Sequence, residues 1–303
     1  MKAVVIEQFG DVNQLQLEDV DDPAVGAGEV RVRVHATSIN PVDWKIRSGA
    51  VRGLIDVELP AILGRDLAGE VESVGPGVNG FRKGQRVMAL ANGTYAELAT
   101  AKANVLAPIP DKLSYEQAAA LPLVTLTGAQ LIERTIKIQP GQSVLILGAL
   151  GGVGRSAVHV ALDHGAIVIA GVRRSELQEA VALGVDQAVA IDEESELEKL
   201  RNLDAVADTI GGAIAGRALR TLKEGGVFGT VLGPPKDADR HNVRIARVMS
   251  QPDASRLYEL ADDVARGSFT IPIAKTLPLE RVRQAQTEAE RGHTHGKIIL
   301  KAA

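Results

Sequence analysis

The stretch Val144-Leu145-Ile146-Leu147-Gly148-Ala149-Leu150-Gly151-Gly152-Val153-Gly154, followed by the helix-forming run Arg155 to His164, constrains this chain more than any other segment. Four apolar residues end on a glycine cluster, and the cluster opens a helix, an order that reads as buried strand, tight turn and helix N-terminus. Such a turn is built to take a pyrophosphate. Its backbone N–H groups converge on the anion, the helix dipole favours negative charge, and a side chain would block the approach. The pattern is A-x-G-x-x-G, with Ala149 at the first glycine position, so Ala149, Gly151, Gly152, Val153 and Gly154 are expected to hold a dinucleotide. A nucleoside-triphosphate loop is the competing motif. It fails twice, because Ala149 replaces its first glycine and Arg155 replaces the lysine that reaches the β- and γ-phosphates. Glycines kept only for helix–strand packing are the plainer alternative, and packing alone needs one glycine rather than three.

About twenty residues past such a loop, a carboxylate normally binds the ribose 2′-hydroxyl of NAD. Here the text reads Gly171-Val172-Arg173-Arg174-Ser175, and no acidic residue appears before Glu176. Two adjacent guanidinium groups at the end of a strand suit a 2′-phosphate, which they can bind in a forked, charge-assisted manner, so NADPH is the expected cofactor. The alternative is that Arg173 and Arg174 merely cap and solvate the next helix.

The rest of the chain fits a two-domain globular protein. Its 303 residues are about two domains' worth, and a 45% hydrophobic content is enough apolar material for two cores. The balance of 34 Lys and Arg against 38 Asp and Glu, with no basic block, disfavours nucleic acid and membrane surfaces as partners. Cysteine is absent, which removes disulfides, thiolate nucleophiles and zinc sites built on cysteine. The opening run Met1 to Ile6 is too short for a secretory leader, and a cytoplasmic location is expected. Up to about Pro110 short alternating runs such as Glu29 to Val34 and Gly69 to Val74 predict β structure. Ser114 and Gln117 stand at capping-box spacing before the Ala118 to Leu121 run. From Ser143 onward, apolar runs at Val144 to Leu147, Ala166 to Ala170, Ala188 to Ile191, Ala205 to Ala207 and Val227 to Leu232 alternate with helical text. That alternation predicts a doubly wound parallel sheet. A helix is expected over Ala254 to Arg266, and the strand-like tail around Ile271 to Ile273 and Gly296 to Leu300 is expected to rejoin the first domain.

Seven blocks in one order now carry a resemblance. They are Asn40-Pro41-Val42-Asp43 with Arg47-Ser48-Gly49; Leu63 to Val71; Phe81 to Val87; Ala119 to Pro122 with Leu126-Thr127; the Ala149 to Gly154 loop; Asp208 to Gly212; and Gly296 to Leu300. Essentially end to end, the chain resembles the zinc-independent, zeta-crystallin-like quinone oxidoreductases of the medium-chain dehydrogenase/reductase superfamily. The resemblance implies an α/β fold: a GroES-like β domain from residues 1–122 and 267–303 around an inserted Rossmann domain, 123–266, with the site in the cleft between them. It further implies Asn40 and Asp43 at the cleft mouth, Asp66 and Arg47 in the substrate-side floor, and Val124 and Thr127 beside the nicotinamide. Gly211, Gly233 and the pair Gly296-Lys297 would close over the cofactor, and the family is usually a homodimer. Thr127 could instead be a buried helix-start hydroxyl, and Asp66 a turn residue. Many relatives carry a tyrosine two residues after Asp43; this chain has Lys45, which could supply a cation to the substrate or simply face solvent.

The metal enzymes of that superfamily place Gly-His-Glu where this chain has Gly64-Arg65-Asp66, and the Leu90 to Thr94 connection is too short for their four-cysteine lobe. No metal site is expected, and His293-Thr294-His295 reads as a solvated stretch. Without a Lewis acid to stabilise an alkoxide, simple alcohols are hard to oxidise, whereas a quinone or an α,β-unsaturated carbonyl delocalises the incoming charge itself. The expected activity is hydride transfer from NADPH to such an acceptor, in a pocket lined mainly by aliphatic residues because only four Phe, three Tyr and one Trp occur. Enoyl-thioester or 2-alkenal reduction, and NADPH binding without turnover, remain alternatives; RNA binding is disfavoured by the charge. The arginine reading has a direct test: replacing Arg173 and Arg174 together by Ala should raise KM for NADPH far more than KM for NADH in steady-state assays, and equal effects would refute it.

Overall fold

In the computed structural model, which describes residues 1–236, 238–292 and 294–302, the chain divides into two compact units. One comprises Met1–Leu123, Pro252–Gly267 and Ile271–Ala303, and the other Val124–Gln251 with Ser268–Thr270. The helix Ala254–Arg266, expected on its chain position to end the insert, groups with the first unit instead. Both of its ends are set by local signals: the Asp253 side chain accepts the Arg256 N–H at the start, and Gly267 closes it in the left-handed region at φ 82°. Its apolar face of Leu257, Leu260 and Ala261 is buried.

The first unit is built on β strands, as the alternating text predicts, paired antiparallel except for Ile273–Pro278 with Lys297–Lys301, which pair parallel. Its main sheet runs in the order Ile273–Pro278, Lys297–Lys301, Glu29–Ser38, Asp66–Val74, Arg86–Leu90 and Ala107–Pro108, with Leu98–Lys102 also paired to Glu29–Ser38. The tail does rejoin this sheet, since Ile299 to Lys301 pair antiparallel with Ser38 to Ala36. A three-stranded sheet of Gln16–Asp19, Lys2–Ile6 and Ala61–Ile62 lies in the same unit. The capping box forms as expected: Gln117 N–H donates to Ser114 Oγ, and Ser114 N–H donates to Gln117 Oε1.

The second unit holds a six-stranded, wholly parallel sheet in the order Gln187–Ala190, Ile167–Val172, Ser143–Leu147, Leu203–Asp208, Leu222–Thr230, Arg244–Arg247. This is the doubly wound order, with the first strand in the middle and the direction of winding reversed beside it. Five strands stand where the apolar runs place them. The sixth, Arg244–Arg247, reads Arg-Ile-Ala-Arg and escapes a hydrophobicity count because it is an edge strand without a buried residue. Phe228 is fully buried at the centre of the unit's core, among Leu145, Leu147, Val206 and Leu219. Phe228→Ala should therefore destabilise the unit by about 3–5 kcal/mol, measurable as a lower urea midpoint.

Candidate functional site

At a doubly wound sheet, ligands bind beyond the carboxyl ends of the strands. Four of the expected cofactor positions follow four strand ends here: Ala149 two residues after Leu147, Arg173 directly after Val172, Gly211 three residues after Asp208 and Gly233 three residues after Thr230. The glycine turn has the geometry its sequence requires. Gly148 sits at φ 77°, in the region that disfavours side chains, and a Cβ on Gly154 would lie 2.0 Å from the Gly148 carbonyl oxygen. The helix Gly152–Asp163 thus starts in contact with the turn, and the N–H groups of Gly152, Val153 and Gly154 belong to its first turn, where no intrahelical acceptor exists. A Cβ on Gly152 would meet the Val124 side chain at 3.1–3.3 Å, so Val124 packs on the turn itself. Ala149 is fully buried, with its N–H 3.3 Å from Gly171 O. Thr127 is buried on the helix Pro122–Gln130. These features fit a dinucleotide diphosphate.

Arg155 shows why a triphosphate does not fit: Nε donates to Leu150 O at 3.0 Å and the guanidinium pairs with Glu179. Arg173 and Arg174 are both exposed and both paired, Arg173 with Glu176 at 3.6 Å and Arg174 with Glu193. Sequence reasoning missed a polar pair that organises the other two strand ends. The fully buried Asp208 accepts from the Ile210 and Gly211 N–H groups at 3.0 and 2.8 Å and from Thr230 Oγ1 at 2.9 Å. Thr230 Oγ1 in turn accepts from the N–H groups of Leu232 and Gly233. An aspartate and a threonine closing two strands that become parallel neighbours are the signal that could have found them.

The first unit gathers Asn40, Asp43, Asp66 and Lys297 into one buried cluster. Asn40, Asp43 and Asp66 are 0% exposed and Lys297 is 8% exposed. Asp66 Oδ1 accepts from the Leu123 N–H at 2.7 Å, while Oδ2 accepts from Asn40 Nδ2 at 2.7 Å and from Ser38 Oγ. Lys297 Nζ donates to Ile39 O at 2.8 Å and to Asn40 Oδ1, and lies 3.5 Å from Asp66 Oδ2. Asp43 Oδ2 accepts from the Tyr95 hydroxyl at 2.7 Å and the Asn40 N–H at 2.8 Å; Oδ1 is buried without a hydrogen-bond partner. Ser38 and Tyr95 were not picked out by sequence, because each sits in strand or loop text with no motif of its own.

Besides Lys297, two of the expected residues take different places. Arg47 is directed to the helix Val282–Glu290: Nη1 donates to Gln286 Oε1 at 2.6 Å, Nη2 pairs with Glu290 at 2.7 Å, and Nε reaches Gly10 O at 3.3 Å. It acts as a clamp between chain segments. Gly296 is at φ 133°, and a Cβ there would lie 2.6 Å from Pro272 O, so close strand approach accounts for this glycine. Lys45 lies half-buried on the helix Pro41–Arg47. His293 falls outside the described residues.

A nucleotide turn on a doubly wound sheet, together with an antiparallel domain contributed by both ends of the chain, defines a nicotinamide-dependent oxidoreductase of the medium-chain type. Comparison with known proteins agrees. Residues 26–111 match the alcohol dehydrogenase GroES-like domain and residues 183–300 a family described as zinc-binding dehydrogenase. Quinone oxidoreductase of Mus musculus is 30% identical over 99% of this chain and 97% of its own length. The chloroplastic NADPH-dependent alkenal/one oxidoreductase of Arabidopsis thaliana is 29% identical over 99% of this chain and 79% of its own. A mycobacterial protein, Rv1454c, whose structure is complexed with NADPH, superposes with a TM-score of 0.86 at 27% identity, covering 99% of this chain and 100% of that one. The chain belongs to the zeta-crystallin-like quinone oxidoreductase family of the medium-chain dehydrogenase/reductase superfamily.

Burial pushes the Asp43 carboxyl up to about 7 from its ordinary 3.8, and the Asp66 charge adds to the rise, while the Tyr95 hydroxyl, the Asn40 N–H and Lys297 oppose it. The folded protein therefore keeps a proton that the unfolded chain releases near 3.8, so this group's contribution to stability is full below that pH and is lost as pH rises to about 7. In Asp43→Asn the loss should vanish: melting temperature plotted against pH should descend less between 4 and 7 than in the wild type.

Proposed function

We propose that this enzyme uses NADPH to reduce a quinone or an α,β-unsaturated carbonyl, without a metal ion. The observation that carries the reading is the glycine turn of Gly148 to Gly154, which opens the helix Gly152–Asp163 with first-turn N–H groups that have no intrahelical acceptor, with Arg173 and Arg174 at the end of the adjacent strand. Bound there, the nicotinamide supplies a hydride. The chain's own part is to bind and orient: first-turn N–H groups for the diphosphate, two guanidinium groups for the 2′-phosphate, Val124 packed on the turn.

The donor set supports chemistry without a metal. Thiolates are absent, and Asp66 Oδ2 already takes Ser38 and Asn40 as donors beside the Lys297 ammonium, which would repel a second cation. Arg65 precedes it and offers no ligand atom. An acceptor that spreads the incoming charge over a conjugated system needs only positioning and a proton from water. The names of the relatives, quinone oxidoreductase and alkenal/one oxidoreductase, support both acceptor types.

NADPH absorbance followed against 1,4-benzoquinone, a 2-alkenal and an enoyl thioester tests the proposal. Oxidation with at least one of the first two is expected, with unchanged rates after treatment with a chelator. Tight NADPH binding with no oxidation by any acceptor would make the chain a binding protein, and stoichiometric zinc in an elemental scan would overturn the metal-free mechanism.

A further inference from the structure

The lysine of the tail pair, expected to close over the cofactor, is spent elsewhere. An ammonium carries three protons and no lone pair. Those of Lys297 face three protein acceptors: Ile39 O at 2.8 Å, Asn40 Oδ1, and Asp66 Oδ2 at 3.5 Å. The partners of Asp66 are the Leu123 N–H, Ser38 Oγ and Asn40 Nδ2, which donate to it, and the ammonium beside it, and together they fix how its side chain is turned. Asn40 is held in one amide orientation for the same reason. Its Oδ1 faces a group that can only donate and its Nδ2 a group that can only accept, so a flip would set like poles against each other.

Two helix starts hang from this pair. Asn40 immediately precedes the helix Pro41–Arg47, and its N–H is bound by Asp43 of that helix. Asp66 Oδ1 takes the N–H of Leu123, the second residue of the helix Pro122–Gln130, which opens with a proline and so has no N–H of its own to satisfy at the first position. That helix carries Val124 and Thr127. We propose that Lys297 is a positioning residue: its ammonium is the internal counter-ion of Asp66, and through Asp66 and Asn40 it fixes the starts of the helices Pro122–Gln130 and Pro41–Arg47.

The consequence for hydride transfer rests on the NADPH reading above, in which Val124 and Thr127 flank the nicotinamide. The buried pair itself does not. Removing one member of such a pair leaves an uncompensated charge and is strongly destabilising, whereas replacing both leaves no charge unpaired and costs less. The test compares wild type with Lys297→Met, Asp66→Asn and the double variant, by thermal melting between pH 5 and 9 and by steady-state kinetics with NADPH and 1,4-benzoquinone. Lys297→Met should lower kcat by about tenfold or more while KM for NADPH stays within about threefold, since the diphosphate turn is untouched. The double variant should melt above Lys297→Met. In Lys297→Met the descent of melting temperature that Asp43 causes should extend to higher pH, because the attraction of the ammonium for Asp43 is gone.

A rise of more than about tenfold in KM for NADPH with unchanged kcat would show that Lys297 contacts the cofactor, and would overturn the proposal. So would a double variant that melts no higher than Lys297→Met. If Lys297→Met does not fold, a soluble double variant supports the counter-ion role and an insoluble one refutes it. Should the wild type reduce no acceptor, the functional reading fails alone, and the melting comparison still decides the role of Lys297.

Discussion

A buried carboxylate is stable only where donors surround it, and Asp66 shows how much of a structure one such group can organise. It begins the strand Asp66–Val74, yet its partners come from Ser38, Asn40, Leu123 and Lys297, brought in from well-separated parts of the chain. A strand end, two helix starts and the final strand are tied to one side chain. The arrangement explains why the tail beginning at Lys297 has to return to the first unit. Pairing of Ile299 to Lys301 with Ser38 to Ala36 brings the lysine against Ile39 and Asn40, and without that return the carboxylate would lack its cation.

Local regularities made much of the fold legible. The five apolar runs of the parallel sheet, the glycine turn, the Ser114–Gln117 box and the Asp253-to-Gly267 helix are all written in residues that act on their near neighbours. The edge strand Arg244–Arg247 was not legible, because its pattern comes from having one partner and no buried residue, a property of its place in the sheet. The helix Ala254–Arg266 can be placed along the chain from its own residues, but its unit cannot. Its sequence states that it has an apolar face and not what that face meets.

The site divides the same way. Part of the glycine turn could be read from near neighbours, since Gly148 takes a left-handed φ and a Cβ on Gly154 would meet Gly148 O six residues away. The polar residues could not, because a hydrogen bond between positions 40 and 297 leaves no trace in the spacing of either. Asn40, Asp43 and Asp66 carry no exposed surface, and their partners are the backbone and side chains around them: the Leu123 and Asn40 N–H groups, Ser38, Tyr95 and Lys297. Arg47 likewise owes its position to Gln286 and Glu290, which no motif around it announces.

On the proposed NADPH reading, the two arginines at the end of the strand Ile167–Val172 would draw selectivity for a phosphorylated ribose from pairs that are individually weak. Arg173 and Arg174 are exposed and rest on Glu176 and Glu193, and exposed ion pairs of this kind add little to stability. A 2′-phosphate, with more charge and more acceptor oxygens than a carboxylate, would displace both partners at small cost and draw on two forked donors at once. A bare 2′-hydroxyl offers no such compensation, because breaking either pair for it would exchange a charged acceptor for a neutral one. On the proposed NADPH reading, preference for the phosphorylated cofactor would be a difference between two exchanges, and the carboxylates paired with the arginines would be part of what sets it.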